Sequence, residues 1–160
     1  MSRVSLVQVA LIRHAHAGAR DGWPGDDRLR PLSARGRRQA EGLLQTLAIV
    51  DVDRVLSSDY LRCTQTVEPL ARACRLAVQE EPALVEGVSL DQVLALFGRF
   101  RGGAVACCTH GDVMALVCHE LVRSGLLKPQ VVRHEKAGTW LLDLAGGELT
   151  SARYLPPPTG

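Results

Sequence analysis

Three short apolar segments, each followed closely by arginine or histidine, constrain the fold of this chain most strongly. The segments and the polar residues after them are Leu6–Ile12 with Arg13-His14-Ala15, Val55-Leu56 with Ser57–Arg62, and Ala104–Cys108 with Thr109-His110-Gly111-Asp112. Apolar runs of this kind are typical of buried strands. Open α/β folds place their ligands at the carboxyl edge of the sheet. We therefore expect two arginines and two histidines to meet at one edge of a sheet.

The rest of the chain alternates predicted strands with predicted helices. Strands are predicted at 6–13, 52–57, 76–79 and 104–109, and helices at 34–49, 60–74, 89–100 and 112–124, the second of them with a kink or local break at Pro69. Two further strands, 138–144 and 148–154, flank Gly146-Gly147, which is a hairpin signal. This order predicts a three-layer α/β/α sandwich with a mostly parallel sheet and an antiparallel edge.

Length and composition limit the number of domains, the kinds of partner and the cellular compartment that we expect for this chain. A length of 160 residues predicts one domain, 1–155, followed by a stiff proline-rich tail, 156–160. The net charge of +2 is too small to indicate a nucleic-acid or membrane partner. The five cysteines form no disulfide pattern, and we expect neither a signal peptide nor a membrane span, so free thiols in the cytoplasm are predicted.

His14 is the candidate nucleophile. A histidine that accepts a phosphoryl group needs an unprotonated ring nitrogen, and the reference pKa of imidazole is about 6.5. Neighbouring cations favour the neutral ring. Arg13 and Arg62 would supply that bias, and the planar guanidinium of each could bind two phosphoryl oxygens at once.

His110 and Gly111 stand at the predicted start of a helix. The free N–H groups and the dipole of a helix N-terminus attract anions, and a glycine lets the backbone approach a ligand closely. Together with His14, Arg13 and Arg62, these residues predict a phosphate-handling site.

The motifs Arg13-His14-Ala15, Ser57–Thr66 and Thr109-His110-Gly111, in this order, resemble the histidine phosphatase superfamily. The similarity extends over nearly the whole chain. In its short length and few insertions, the chain most resembles the SixA-type phosphohistidine phosphatases. The segments Trp23–Ser33 and Tyr154–Pro158 also resemble the phosphatase-like half of bacterial Nudix–phosphatase fusions. Because we find no Nudix half in this sequence, nucleotide specificity is not carried over.

The resemblance implies a role for each matching residue. His14 would become phosphorylated, and Arg13, Arg62 and His110 would bind the transferred phosphoryl group. Glu86, which follows a predicted strand, would donate the proton to the leaving group, with a surface loop position as the alternative. Ala15 departs from the family pattern, in which most members carry glycine.

Other polar residues could line the pocket without taking part in the chemistry. His16 would face the same way as His14 if the strand continued, and so could line the pocket. The run Asp26–Arg30 is predicted to be a solvated loop from which Arg28 or Arg30 could reach an anionic substrate. No histidine pair has the spacing of metal ligands, so neither a metal nor another cofactor is expected.

The implied function is a metal-independent phosphatase that acts on a phosphohistidine protein or a small phosphomonoester, with a nucleotide as an alternative substrate. Two rival functions stay open at this point. One is a binding module for phosphorylated ligands without catalytic activity. The other is a mutase, although the short connection from Glu86 to Ala104 leaves little room for the insertions that mutases tend to carry. The oligomeric state is not predicted.

Overall fold

The computed structural model describes residues 4–159 and contains six strands and four helices. The strands are β1 (Leu6–Arg13), β2 (Arg54–Ser57), β3 (Val78–Glu80), β4 (Ala104–Thr109), β5 (Thr139–Ala145) and β6 (Glu148–Leu155). The helices are α1 (Ala34–Thr46), α2 (Leu61–Cys74), α3 (Leu90–Arg99) and α4 (Gly111–Arg123).

All six strands form one mixed sheet in the order β3-β2-β4-β1-β5-β6. The four strands from β3 to β1 are parallel, and β5 and β6 add an antiparallel edge. β1 pairs with β4 in a register that sets Arg13 opposite Thr109, and β4 pairs with β2 so that Cys108 lies opposite Ser57. The carboxyl ends of the three motif-bearing strands are therefore neighbours.

Helices cover both faces of the sheet. On one face α3 and α4 pack on β-strand residues such as Leu11, Cys107 and Trp140. On the other face α1 and α2 pack on residues such as Ile12 and Cys108. Successive side chains of a strand point to opposite faces, and so the adjacent cysteines of β4 belong to different cores. The three-layer α/β/α sandwich and its antiparallel edge are confirmed.

Helix starts follow the local sequence closely. Ser33 and Ser89 cap α1 and α3 by accepting the backbone N–H of Gly36 and of Gln92, and Gln92 completes a capping box with the Ser89 N–H. Gly146 and Gly147 both have positive φ, at 59° and 83°, as a tight hairpin turn requires.

Several predicted boundaries were wrong by a few residues. α1 ends at Thr46, before the predicted end at 49, β2 begins at Arg54, and the weak strand predicted at 76–79 is β3. The helix predicted from 112 begins at Gly111. α2 is not broken at Pro69, because it continues to Cys74 with the proline inside it, and the alternative of a kink there stays a prediction.

The C-terminal segment after β6 lies against the body of the fold: a Cβ placed on Gly42 of α1 would be 2.5 Å from Cβ of Pro158. The division of the chain at 155 stays a prediction, and residues 1–3 and 160 lie outside the described residues. Within 4–159, none of the helices has the length and apolar character needed to cross a bilayer.

Candidate active site

The carboxyl ends of β1, β2 and β4 are tied to one another by backbone hydrogen bonds. The N–H of His14 donates to the Thr109 carbonyl, and the N–H of Ser58 donates to the Cys108 carbonyl, both at 3.0 Å. The ends border an open cavity of about 470 Å³. Its charged and histidine lining residues are Arg13, His14, Arg20, Arg30, Arg62, Glu86, His110, Asp112, His134 and Lys136. Cations outnumber carboxylates there, as expected for a site that binds an anion.

The ring of His14 is held in one tautomer. Its Nδ1 lies 2.8 Å from the Ala15 carbonyl, which can only accept, so Nδ1 carries the hydrogen and Nε2 carries the lone pair. Burial lowers the pKa of His14 to about 3, the hydrogen bond to the Ala15 carbonyl opposes this shift, and the charges of Arg62 and Arg13 add to it. The ring is therefore neutral near pH 7 and has a free nucleophilic nitrogen.

Arg13 is held close to the start of α4. Its Nη1 donates to the His134 carbonyl at 2.7 Å. A Cβ on Gly111 would stand 2.7 Å from Cζ of Arg13, so this approach requires glycine. Burial lowers the pKa of Arg13 although Asp112 raises it, and the guanidinium stays charged at any physiological pH.

Arg62 projects from the first turn of α2 and is 1% exposed. Its Nη1 and Nη2 donate to the carbonyl and to Oδ2 of Asp27, at 2.9 and 3.0 Å. Thr66, one turn further along α2, accepts the Ala15 N–H and donates to the Arg62 carbonyl. The helix that carries Arg62 is thereby fastened to the residue next to His14.

His110 is the N-cap residue of α4 and is buried. Its Nε2 lies 2.9 Å from Oγ of Ser58. Its ring meets His14 and Tyr60 edge-on, with ring centroids 5.6 and 4.7 Å away. Both neighbouring rings limit how far the imidazole of His110 can turn.

Three nitrogens of the pocket are buried without a hydrogen-bond partner among the described residues: Nε of Arg13, Nε of Arg62 and Nδ1 of His110. Buried polar groups in proteins are nearly always hydrogen-bonded, and an unpaired one costs about 1–3 kcal/mol. The two Nε atoms are obligate donors, so an anion with several acceptor oxygens would satisfy them. A phosphoryl group has that chemistry.

Another wall of the cavity is formed by the segment between β1 and α1, which contains two short 3₁₀ turns, Arg20–Gly22 and Asp27–Leu29. Asp27 accepts hydrogen bonds from Arg30 and Arg62 and lies 3.6 Å from Arg20. Burial raises the pKa of Asp27, but these cations outweigh it, and the pKa is lowered overall. Arg20 also donates to Glu86 at 2.8 Å.

The structure brings most of the predicted site residues to this cavity. His14, Arg13, Arg62, His110, Gly111, Glu86 and Arg30 all line it. Arg30 is buried, and its Nη1 donates to the Ala17 carbonyl at 2.8 Å. His16 does not line the cavity, because β1 ends at Arg13 and the His16 ring turns away to Oγ of Ser33, 2.7 Å from Nδ1.

Sequence reasoning missed Asp27, Arg20, Ser58 and Lys136. Asp27 belongs to a run predicted to be solvated, and its partner Arg62 lies 35 positions away. The signal available for Asp27 was the presence of three arginines, Arg20, Arg30 and Arg62, that each need a counter-charge. Ser58 belongs to the quoted motif but had no role assigned to it. Among residues 4–159 no group of three or more His, Cys, Asp or Glu is arranged to hold a metal ion.

The lowered pKa of His14 predicts how stability depends on pH. Unfolding restores a pKa near 6.5, so between about pH 3 and 6.5 the unfolded chain binds the extra proton. This residue therefore makes the free energy of unfolding fall as the pH is lowered through that window, by at most about 1.4 kcal/mol per unit. Urea titrations across the window should show a shallower slope for His14→Gln than for the wild type. Equal slopes would contradict the assignment.

Comparison with known proteins agrees with this geometry. A curated relative, the 8-oxo-(d)GTP phosphatase of Mycolicibacterium smegmatis (strain ATCC 700084 / mc(2)155), is 36% identical over 157 residues, which are 94% of this chain and 48% of that protein. The chain thus spans about half the length of that relative.

Solved structures share the fold. A candidate phosphohistidine phosphatase SixA from Agrobacterium tumefaciens superposes with a TM-score of 0.74 at 23% identity, over 94% of this chain and 98% of that one. The protein histidine phosphatase SixA complexed with tungstate gives a TM-score of 0.70 at 21% identity, over 95% and 96%. A sequence model of the histidine phosphatase superfamily (branch 1) matches residues 9–88, half of the chain. With its motifs assembled at one sheet edge, the chain belongs to the histidine phosphatase superfamily.

Proposed function

We propose that the protein is a metal-independent phosphatase that works through a phosphohistidine on His14. The observation that carries the proposal is the Nδ1–H of His14 donating to the Ala15 carbonyl, which leaves the lone pair on Nε2. In the first step Nε2 forms a bond to phosphorus, and the bond to the leaving group breaks. In the second, water attacks phosphorus, the P–N bond breaks, and inorganic phosphate and neutral His14 are released. Two in-line transfers replace one difficult displacement.

The remaining residues stabilise charge on the phosphoryl oxygens. The unpaired Nε atoms of Arg13 and Arg62 and the ring of His110 offer donors from three different elements. Preorganised donors of this kind are usually the largest contribution to the rate of phosphoryl transfer. Gly111 supports the same oxygens indirectly, since its lack of a side chain makes room for the Arg13 guanidinium.

The substrate we propose is a phosphohistidine protein or a small phosphomonoester. The cavity of about 470 Å³ is open and has room for more than one phosphoryl group. A nucleotide is the second candidate, because the relative from M. smegmatis is named for that activity. Phosphorylated substrates suit the cations of the pocket, and the expected compartment is the cytoplasm, where the five free cysteines would stay reduced.

A turnover screen tests the function. Phosphate release would be measured from a phosphohistidine protein, nucleoside mono- and diphosphates, and sugar phosphates at equal concentration. Turnover of one class would identify the substrate. Thermal stabilisation by phosphate without turnover of any class would instead indicate a binding module, and isomerisation of 3-phosphoglycerate would indicate a mutase.

Chelators should leave the activity intact. Every group in the proposed mechanism is a protein side chain or water, so treatment with EDTA should not change the rate of p-nitrophenyl phosphate hydrolysis. Loss of activity that Mg²⁺ or Zn²⁺ restores would contradict the proposal.

Glu86→Gln should separate substrates by leaving group. If Glu86 donates a proton to a departing alkoxide, the rate on alkyl phosphates should fall about 100-fold or more. The rate on p-nitrophenyl phosphate should fall much less, since its leaving group barely needs a proton. The rate on phosphohistidine should also fall less.

The contact with Arg20 defines the control for this experiment. Arg20 donates to Oε1 of Glu86, so Arg20→Gln removes this partner and keeps the carboxylate, which still lies 3.8 Å from Nη2 of Arg62. This variant should not reproduce the dependence on the leaving group. A uniform loss for Glu86→Gln on all three substrates would assign the residue to binding or folding instead.

A further inference from the structure

The contact between Ser58 and His110 carries an inference that the mechanism above does not use. Oγ of Ser58 lies 2.9 Å from Nε2 of His110, and both side chains are buried. The other ring nitrogen, Nδ1, has no partner among the described residues, although His110 lines the cavity. One nitrogen of the ring is held by the protein, and the other is buried without a partner among the described residues.

The hydrogen-bond partners of Ser58 determine which nitrogen carries the proton. The Tyr60 N–H donates to Oγ of Ser58 at 3.3 Å, so the hydroxyl already accepts one bond. Within residues 4–159, Nε2 of His110 is the remaining hydrogen-bond partner of this oxygen. If Nε2 were protonated, the hydroxyl hydrogen would be buried without an acceptor, which is unfavourable. The hydroxyl therefore donates to Nε2, and a neutral ring then has its hydrogen on Nδ1.

Cys63 does not reverse this assignment. Its Sγ lies 3.6 Å from Nε2 of His110, but the thiol donates to the Thr109 carbonyl at 3.7 Å. A thiol is also a weaker partner than a hydroxyl. The hydroxyl contact is the shorter of the two and has no competing acceptor.

We propose that Ser58 is a positioning residue that holds His110 as the Nδ1–H tautomer, so that Nδ1 donates to an oxygen of the transferred phosphoryl group. The catalytic part of this inference rests on the proposed function, whereas the tautomer does not. With the hydrogen on Nε2 instead, Nδ1 would present a lone pair to the phosphoryl oxygens and repel them. A serine outside direct contact with the substrate thus controls a donor that touches it.

Histidine ring ¹⁵N spectra test the tautomer directly. The spectra would be recorded with and without orthovanadate, a mimic of the phosphoryl group. Wild-type His110 should show a protonated Nδ1 and an unprotonated Nε2, and Ser58→Ala should lose that single form. Ser57→Ala is the matched control, because Ser57 is equally buried but donates to the Ser58 carbonyl at 2.7 Å. Protonation on Nε2 in the wild type, or an unchanged spectrum in Ser58→Ala, would overturn the proposal.

Kinetics test the consequence for catalysis. Ser58→Ala should lower kcat for p-nitrophenyl phosphate about tenfold, the effect of one lost hydrogen bond, with a smaller change in KM. Ser58→Thr keeps the hydroxyl and should restore most of kcat. Equal losses in Ser58→Ala, Ser58→Thr and Ser57→Ala would show a packing effect and overturn the proposal.

The wild-type spectrum keeps the test decisive if Ser58→Ala fails to fold. It also separates the two proposals. A wild-type protein that shows the Nδ1–H tautomer but turns over no phosphorylated substrate would contradict the phosphatase function and leave the tautomer assignment standing.

Discussion

His14→Ala should abolish turnover, lowering kcat/KM by about a thousandfold or more, because loss of the nucleophile removes the covalent route entirely. Wild-type enzyme quenched during turnover should carry a phosphate that is labile in acid and stable in base, as a phosphoramidate is. Peptide mapping should locate that phosphate on His14. The variant should still bind phosphate, since the donors of Arg13, Arg62 and His110 remain.

His16→Ala is the control for this experiment. The ring of His16 lies two positions from His14 but packs against Ser33, away from the cavity. The variant should keep near-normal turnover and the same phosphorylated residue. Near-normal activity in His14→Ala, or a phosphate mapped to another residue, would rule out the proposed intermediate.

Arg62→Ala should cost about 100- to 1000-fold in kcat, the range measured when one donor to a developing oxyanion is removed. Arg62 lines the pocket and is almost fully buried, its Nε has no hydrogen-bond partner among the described residues, and Asp27 holds its other two nitrogens. Its removal also leaves Asp27 with fewer counter-charges, so the free energy of unfolding should fall as well.

The two effects of Arg62→Ala can be separated. Asp27→Asn weakens the same contact and leaves the guanidinium in place, so it should lose far less activity. Arg28→Ala is a surface control, because Arg28 pairs with Asp59 at an exposed position. An Arg62→Ala enzyme that is well folded and nearly as active as Arg28→Ala would exclude Arg62 from phosphoryl binding.

The parts of the fold that could be predicted are those with a local cause. β1 and β4 have the predicted bounds, because their apolar runs end where charged or polar residues begin. α1 begins at its predicted residue and α3 one residue after, since the caps Ser33 and Ser89 depend on residues within one turn. The meeting of His14, Arg62 and His110 follows from the parallel order of three strands.

What could not be predicted depends on partners far away along the chain. Asp27 and Arg30 lie in a polar run, and only the position of Arg62 shows why they turn inwards. Ser57 and Ser58 are identical in type, and the backbone at the end of β2 decides which of them reaches His110. The alternation expected for His16 fails because the strand has already ended.

The two halves of the pocket differ in what holds them. His14 and His110 directly follow β1 and β4, two inner strands of the sheet, whereas Arg20 and Asp27 belong to short 3₁₀ turns held by ion pairs. Substitutions in the first 3₁₀ turn, Arg20–Gly22, can therefore change which leaving group fits while leaving His14 and the contact between Asp27 and Arg62 in place. For protein engineers, that turn is the part of the loop to diversify when a new substrate is wanted.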